Sequence, residues 1–277
     1  MTGLIDSLMD IAGSYDAIVL DQWGVLHDGS NPYPHAIKTL LALQRNGARL
    51  AVLSNSGKRA APNAKRIAEM GFGDVEFVDV MTSGEALWRD ISLGNIPASC
   101  FFPIERGKGD AAAWAEGLDI TLTETWERAD AVLLMGLPDG ATLADFDELL
   151  TSCRTAGLPL FCSNPDRKSP RAGGYVTSPG ALAFAYADRG GETQFYGKPH
   201  RPVFTALASA LQSDRLLMIG DSMEHDIAGG QGAGWDTVLI RGGVHAPAFA
   251  GRNTVDAVAE LTATYGVTPT YSLEVLQ

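Results

Sequence analysis

Short apolar runs alternate with amphipathic segments along the first part of the chain. Residues 17–20 and 50–53 are runs of four apolar residues that include β-branched ones, which is typical of short buried strands. Between them, the apolar residues of 35–46 recur at helical spacing, and Gly47 follows where a C-cap glycine is expected. Another helix is predicted over 61–70. This β-α-β-α order predicts an α/β fold with a parallel, doubly wound sheet.

A second αβ unit is predicted after residue 82. Its helices are predicted over 85–90, 110–117 and 143–156, and its strands over 99–102, 131–136 and 158–162. The strand pattern returns at 216–219 and 237–240. With 277 residues the chain is long enough for two domains. We therefore predict a core domain made of 1–82 and 195–277, with an inserted α/β cap domain over 83–194.

Small polar residues follow three of the predicted strands. Asp21 follows the first strand, Ser54 and Asn55 follow the second, and Asp221 follows a later one, with Asp226 five residues further at a helix start. Ligands of open α/β sheets gather at the carboxyl ends of the strands, so these residues are expected to lie near one another. The Ser54 hydroxyl and the nearby amides could hold a phosphoryl oxygen. A simple turn cap is the alternative for Ser54 and Asn55.

A basic segment over 167–174 interrupts the otherwise acidic sequence. It is predicted to be a flexible loop. One interpretation is a solvated loop, and the other is a lip that contacts an anionic substrate. The candidates for such contacts are Asp166, Arg167, Lys168 and Arg171.

A lysine also precedes the helix predicted over 202–211, in the triplet Gly197-Lys198-Pro199. Pro202 lies in the first helical turn, where proline is favoured. From that place Lys198 could direct its ammonium group toward the strand ends, although a surface lysine fits the same pattern.

Composition excludes several classes of function. The formal net charge is −12 and no Lys/Arg-rich run is present, which argues against a nucleic-acid partner. No apolar run approaches the roughly 20 residues of a membrane span. Residues 1–14 lack a basic n-region and are predicted to form a short amphipathic helix, not a secretory signal. The three cysteines lack metal-ligand spacing, which predicts reduced thiols in a cytoplasmic protein.

The ordered set Asp21, Ser54, Lys198, Asp221 and Asp226 resembles the four motifs of the haloacid dehalogenase (HAD) superfamily. The likeness covers nearly the whole chain. It is greatest with class IIA, the NagD-like phosphatases, since the large insertion falls between the second and third motifs. Shorter matching stretches are Gly136-Leu137-Pro138-Asp139, Asn164-Pro165-Asp166, Pro179-Gly180-Ala181-Leu182 and Gly197-Lys198-Pro199.

The resemblance implies a phosphatase that binds Mg²⁺ and acts on a small phosphorylated metabolite. Asp21 would attack the phosphoryl group and form an aspartyl-phosphate, which water then hydrolyses. The metal ligands would be Asp21, Asp221, the backbone carbonyl of Trp23, and Asp226 directly or through water. A homodimer is one possible assembly.

The same resemblance implies a phosphate-binding set. Lys198 would offset the charge of Asp21 and of the phosphate, so it is a catalytic as well as a binding residue. Ser54 and Asn55 would orient the phosphate oxygens.

Trp23 departs from the family pattern. Most HAD phosphatases carry a second aspartate two residues after the nucleophile, which protonates the leaving oxygen, and an indole cannot do so. Three readings stay open: a phosphatase whose acid lies elsewhere or whose leaving group needs little protonation, a phosphonatase or dehalogenase-like hydrolase, and a catalytically impaired binder of phosphorylated ligands. His27, Glu224 and His225 are the nearest candidates for a replacement acid.

Overall fold

The structure is a computed structural model that describes residues 2–171 and 174–277. Within these ranges the chain forms two compact units. The first comprises the residues up to Ser54, Ala61–Met81 and Phe204–Gln277, and the second comprises Asn55–Ala60 and Thr82–Val203. The domain boundaries expected from the sequence stay a prediction.

The first unit is built on a seven-stranded sheet. Its strands are β1 (Gly3–Leu4), β2 (Ala17–Leu20), β3 (Leu50–Ser54), β4 (Phe77–Thr82), β12 (Leu216–Gly220), β13 (Asp236–Ile240) and β14 (Tyr271–Leu273). The strand order is β1-β14-β13-β12-β2-β3-β4, and the pairs from β1 through β3 are parallel.

The second unit contains a five-stranded sheet and a separate hairpin. The sheet strands are β5 (Cys100–Ile104), β6 (Thr121–Leu122), β7 (Ala131–Leu134), β8 (Leu160–Cys162) and β11 (Thr193–Phe195), in the order β11-β8-β7-β5-β6 and all parallel. The hairpin pairs β9 (Lys168–Arg171) with β10 (Gly174–Thr177).

The α-helices lie between these strands along the chain. They are α1 (Ala36–Arg45), α2 (Ala60–Ile67), α3 (Ser83–Ser92), α4 (Asp110–Trp114), α5 (Asp147–Thr155), α6 (Pro179–Asp188), α7 (Arg201–Leu211), α8 (Ala228–Gly232), α9 (Ala246–Phe249) and α10 (Thr254–Tyr265). None of the described helices has the length and apolar character of a membrane-spanning helix. The predicted α/β fold with a parallel sheet is confirmed.

The central strands of the first unit are apolar because both sheet faces are covered. Every residue of β2 and β12 is buried, as expected for interior parallel strands. In the register of this pair, Leu20 lies opposite Ile219. The next residues of both strands therefore emerge together at the carboxyl edge of the sheet.

The N-terminal segment differs from the predicted amphipathic helix. Gly3–Leu4 is a strand that pairs with β14, and two 3₁₀ turns follow at Leu8–Asp10 and Ala12–Ser14. The Leu8 side chain is fully buried in the main core. The helix prediction was wrong because the strand Gly3–Leu4 forms by pairing with β14 at the other end of the chain, and a local pattern does not show this pairing.

The basic segment also differs from the prediction. Most of it forms the β9–β10 hairpin, with Ser169 opposite Val176, instead of a flexible loop. Ala172 and Gly173 lie outside the described residues. Elsewhere the sequence did not predict β4, and the helix expected over 61–70 ends at Ile67, where a π-helical turn begins.

Candidate functional site

Three carboxylates meet at the carboxyl edge of the first unit's sheet. Asp21 follows β2, Asp221 follows β12, and Asp226 lies in the π-helical turn Met223–Ile227. One oxygen of each carboxylate lies within 4.8 Å of one oxygen of both others. Asp221 and Asp226 are 3% and 0% exposed, whereas Asp21 is half-buried. Three negative charges this close repel one another strongly unless a cation or a proton neutralises them.

Backbone amides orient two of these carboxylates. The N–H of Val244 donates to Oδ2 of Asp221 at 2.7 Å, and the N–H of Ser222 donates to Oδ2 of Asp226 at 3.0 Å. These hydrogen bonds hold both carboxylates in a fixed orientation in a buried place.

Glycines allow the backbone to approach the carboxylates. A Cβ at Gly24 would lie 1.9 Å from Oδ2 of Asp221, and one at Gly243 would lie 2.2 Å from its Cβ. A Cβ at Gly220 would lie 2.1 Å from the Cβ and Cγ of Asp226. Real Cβ atoms do not come this close to other atoms. Only glycine therefore allows the backbone to pack this tightly against the two aspartates.

This arrangement fits a divalent cation. Carboxylate oxygens are hard ligands, the type that Mg²⁺ and Ca²⁺ prefer. A cation would also offset the mutual repulsion of the three charges. The individual ligand roles of Asp21, Asp221, Asp226 and the carbonyl of Trp23 stay predictions.

The loop after Asp21 is held by its own backbone. The carbonyl of Gln22 accepts the N–H groups of Val25, Leu26 and His27, and the N–H of Gly24 donates to the carbonyl of His27. These hydrogen bonds bring the backbone of residues 25–27 back toward Gln22 and Gly24. The Trp23 side chain remains 42% exposed.

His27 is buried at the base of this loop and is 2% exposed. Its Nδ1 accepts the N–H of Gly29 at 3.0 Å, so the proton of the neutral ring lies on Nε2. Among the described residues, Nε2 has no hydrogen-bond partner. Burial, together with the positive charge of Arg66, lowers the pKa of His27 to about 4. His27 is therefore neutral near pH 7, which is unfavourable for a general acid.

The low pKa of His27 predicts a pH dependence of stability. Between about pH 6.5, the unfolded value, and pH 4, the unfolded chain binds a proton that the folded chain does not. The free energy of unfolding should therefore fall by about 1.4 kcal/mol for each pH unit as the pH drops through this window, and this contribution should be flat above it.

The His27→Asn variant isolates this effect, because the Asn oxygen can replace Nδ1 as acceptor without titrating. Urea unfolding of both proteins from about pH 7 to about pH 4.5 should show a shallower loss of stability in the variant. Equal slopes in the two proteins would contradict the assignment.

The other candidates for a replacement acid lie in the π-helical turn. Glu224 is exposed and His225 is half-buried, with its N–H donating to Oγ of Ser222 at 3.2 Å. Ser222 caps the turn.

The remaining predicted residues divide between the units. Ser54 ends β3, next to β2, in the first unit. In the second unit the Asn55 side-chain amide donates to Asp166 Oδ1 at 2.7 Å and to the Lys198 carbonyl at 3.2 Å, and its Oδ1 accepts the Lys198 N–H at 2.7 Å. Lys198 is 2% exposed. Asn55 therefore holds the backbone of Lys198, a contact that the sequence did not predict.

Two of the three basic cap candidates, Arg167 and Lys168, are exposed in the second unit. The guanidinium of Arg167 lies 3.9 Å above the ring of Phe184, a cation–π contact, and Lys168 begins β9. Their contacts with a substrate stay a prediction, as does that of Asp166.

Sequence reasoning missed several supporting residues. The buried side-chain amide of Gln22 donates to Oδ1 of Asn63 at 2.5 Å, which fixes the residue next to Asp21. Nε2 of His245 accepts the N–H of Met223 at 3.1 Å, and burial lowers the pKa of this histidine. No local pattern marks these residues, because their partners lie far away in the sequence.

Comparisons with known proteins agree with this geometry. A family model described as haloacid dehalogenase-like hydrolase matches residues 18–102, and one described as HAD-hydrolase-like matches residues 195–265. The first match includes Asp21 and the second includes Asp221 and Asp226.

Similar proteins extend the match to the whole chain. Human chronophin is 29% identical over 253 residues, covering 86% of this chain and 85% of that protein. A glycerol phosphate phosphatase of Mycobacterium tuberculosis, solved with calcium and with magnesium, shares the fold at TM-scores of 0.74 and 0.72, with 24% and 23% identity. These alignments cover 95% and 97% of this chain, and 74% and 77% of the other.

A crystal structure of a haloacid dehalogenase-like hydrolase from Brucella suis 1330 is 31% identical, with a TM-score of 0.82. The alignment covers 99% of this chain and 100% of the other. The chain therefore belongs to the haloacid dehalogenase-like hydrolase family.

Proposed function

We propose that this hydrolase is a Mg²⁺-dependent phosphatase that acts on small phosphorylated metabolites through an aspartyl-phosphate on Asp21. The observation that carries the proposal is the meeting of Asp21, Asp221 and Asp226 within 4.8 Å. Family membership supports it, as does a protein of the same fold that is named a glycerol phosphate phosphatase and was solved with magnesium.

In the proposed reaction, a carboxylate oxygen of Asp21 attacks phosphorus and the bond from phosphorus to the leaving oxygen breaks. Water then attacks phosphorus, the bond to Asp21 breaks, and inorganic phosphate leaves while the carboxylate is restored. Asp21 is the least buried of the three aspartates, in keeping with a residue that must meet substrate.

Asp221 and Asp226 are the two buried aspartates whose carboxylates are oriented by backbone amides, and we assign them to cation binding. A bound divalent cation would supply positive charge that stabilises the phosphoryl group during transfer. Val244 and Ser222, through their N–H groups, keep the two carboxylates in place for this task.

Ser54 ends the strand beside β2, and we propose that its hydroxyl donates to a phosphate oxygen. Asn55 and Lys198 keep the phosphate-binding and charge-offsetting roles that the resemblance implies. The cytoplasmic location and the homodimer likewise stay predictions from the sequence.

Hydrolysis of p-nitrophenyl phosphate tests the proposal. Turnover should require Mg²⁺, fall by about 10²-fold or more when the metal is chelated, and return when Mg²⁺ is restored, because cation stabilisation of this kind contributes several kcal/mol. Unchanged turnover after chelation would contradict the metal role. Absence of turnover of any phosphate ester, with Mg²⁺ and phosphate still raising the melting temperature, would instead indicate a binding protein.

A further inference from the structure

Trp23 places an exposed aromatic surface two residues after the nucleophile. The intervening Gln22 turns inward to Asn63 and is 5% exposed, whereas the Trp23 side chain is 42% exposed. A single exposed apolar side chain is common on protein surfaces, so this indole is set apart by where it lies, two residues after Asp21, and not by its exposure alone.

The position of the indole is set by its own loop. Gly29 has φ +102°, and a Cβ there would lie 3.0 Å from the indole nitrogen. Arg66 donates to the carbonyl of the same glycine at 3.1 Å. Gly29 thus gives the indole room against the backbone, and the ring is supported along one edge.

An indole has one N–H donor, no acceptor and no proton that ionises in water, so it cannot protonate a leaving oxygen. The two ionisable side chains in the described loop from Gln22 to Gly29, His27 and Asp28, are poorly placed to act as the acid. His27 is buried, with Nδ1 bonded to Gly29. Asp28 accepts the N–H groups of Ser30 and Asn31 at 2.9 and 2.8 Å. This loop therefore gives the reaction a flat apolar surface and no acid.

Phosphoryl transfer that receives no acid from this loop favours a leaving oxygen that is stable as an anion. An alkyl alcohol is a very weak acid, and loss of general-acid help costs about 10²–10⁴ in rate for such a group. The hydroxyl group of a phenol or an enol is a much stronger acid than that of an alkyl alcohol, so its oxygen leaves readily as the anion. Its flat unsaturated body also suits contact with an indole face.

We infer that the substrate is a phosphate ester of an acidic hydroxyl group, on an aromatic ring or an enol, and that Trp23 contacts the unsaturated leaving group. This inference rests on the proposed phosphatase function. Asp21 forms the new bond to phosphorus, the ester bond breaks with its electron pair on the leaving oxygen, and the resulting phenolate or enolate takes a proton from water.

The wild-type protein alone tests the substrate class. Values of kcat/KM are measured for phenyl phosphates of graded phenol acidity, for acetyl phosphate and for glycerol phosphate, all with Mg²⁺. We expect kcat/KM to fall steadily as the phenol becomes less acidic, with glycerol phosphate at least about 10²-fold below p-nitrophenyl phosphate. Alkyl and nitrophenyl esters turned over at similar rates would overturn the inference.

Two substitutions at Trp23 separate acidity from contact. Trp23→Asp should raise kcat/KM for glycerol phosphate by about 10²-fold and flatten the dependence on leaving-group acidity, because an acid is supplied. Trp23→Phe, the matched variant, keeps an aromatic ring without an acid, so the steep dependence should remain. An unchanged dependence in folded Trp23→Asp would overturn the inference.

Acetyl phosphate has an acidic leaving group but no aromatic ring, so it tests the contact with Trp23 apart from leaving-group acidity. Trp23→Ala should raise KM for phenyl phosphates several-fold more than KM for acetyl phosphate. An equal change for both would overturn the contact. Failure of the proposed function looks different: no phosphate ester would then be hydrolysed at a rate that depends on Asp21.

Discussion

Replacing Asp21 with Asn should lower the turnover of p-nitrophenyl phosphate by about 10⁴-fold or more, the scale found when a covalent nucleophile is removed. The amide is nearly the same size as the carboxylate, but it is neutral and a poor nucleophile toward phosphorus. The variant should fold normally, because the substitution removes one of three negative charges that lie within 4.8 Å of one another. Steady-state assays and thermal unfolding of both proteins check the two statements.

Asp226→Asn distinguishes the nucleophile from a cation ligand. Asp226 is buried and bonded to the Ser222 N–H, so its loss should weaken cation binding without removing the attacking group. Raising the Mg²⁺ concentration should partly restore turnover of Asp226→Asn and leave Asp21→Asn inactive. Recovery of Asp21→Asn by Mg²⁺ would show that Asp21 is a ligand only and that another group attacks phosphorus.

The strands that position the aspartates were predictable because their signal is local. Residues 17–20 and 216–219 are apolar without interruption, and parallel interior strands need such runs because helices cover both faces. An aspartate after each run, in neighbouring strands, then suffices to predict that their carboxylates approach one another. The approach of Asp21 and Asp221 follows from the register that sets Leu20 opposite Ile219.

The features that escaped prediction depend on distant partners. Gly3–Leu4 becomes a strand only because Tyr271–Leu273 lies beside it, and no periodicity extends over two residues. Asn55 holds the backbone of Lys198 across 143 positions of sequence. The β9–β10 hairpin is hidden by its basic residues, which usually indicate a solvated loop. Local pattern therefore predicts the frame of the site but not the hydrogen bonds that hold its side chains.

Replacing Gly24 with Ala should weaken cation binding by about 10–100-fold or more, with a corresponding loss of turnover at limiting Mg²⁺. The new Cβ would lie 1.9 Å from Oδ2 of Asp221, so this carboxylate must move and give up the N–H of Val244. Asp221 is 3% exposed and also abuts Gly243, which leaves it little space for movement. Calorimetric titration with Mg²⁺ measures the loss directly.

Gly47→Ala is the matched control, because Gly47 has φ +86° against +88° at Gly24, yet a Cβ there meets nothing within 4 Å. Both variants carry the same backbone strain, about 1–3 kcal/mol of lost stability, but only Gly24→Ala places an atom against Asp221. Mg²⁺ affinity reduced in Gly24→Ala and retained in Gly47→Ala would show that the glycine is needed for the carboxylate it adjoins. Affinity retained in Gly24→Ala would show that Asp221 has room to move and would contradict its assignment as a held cation ligand.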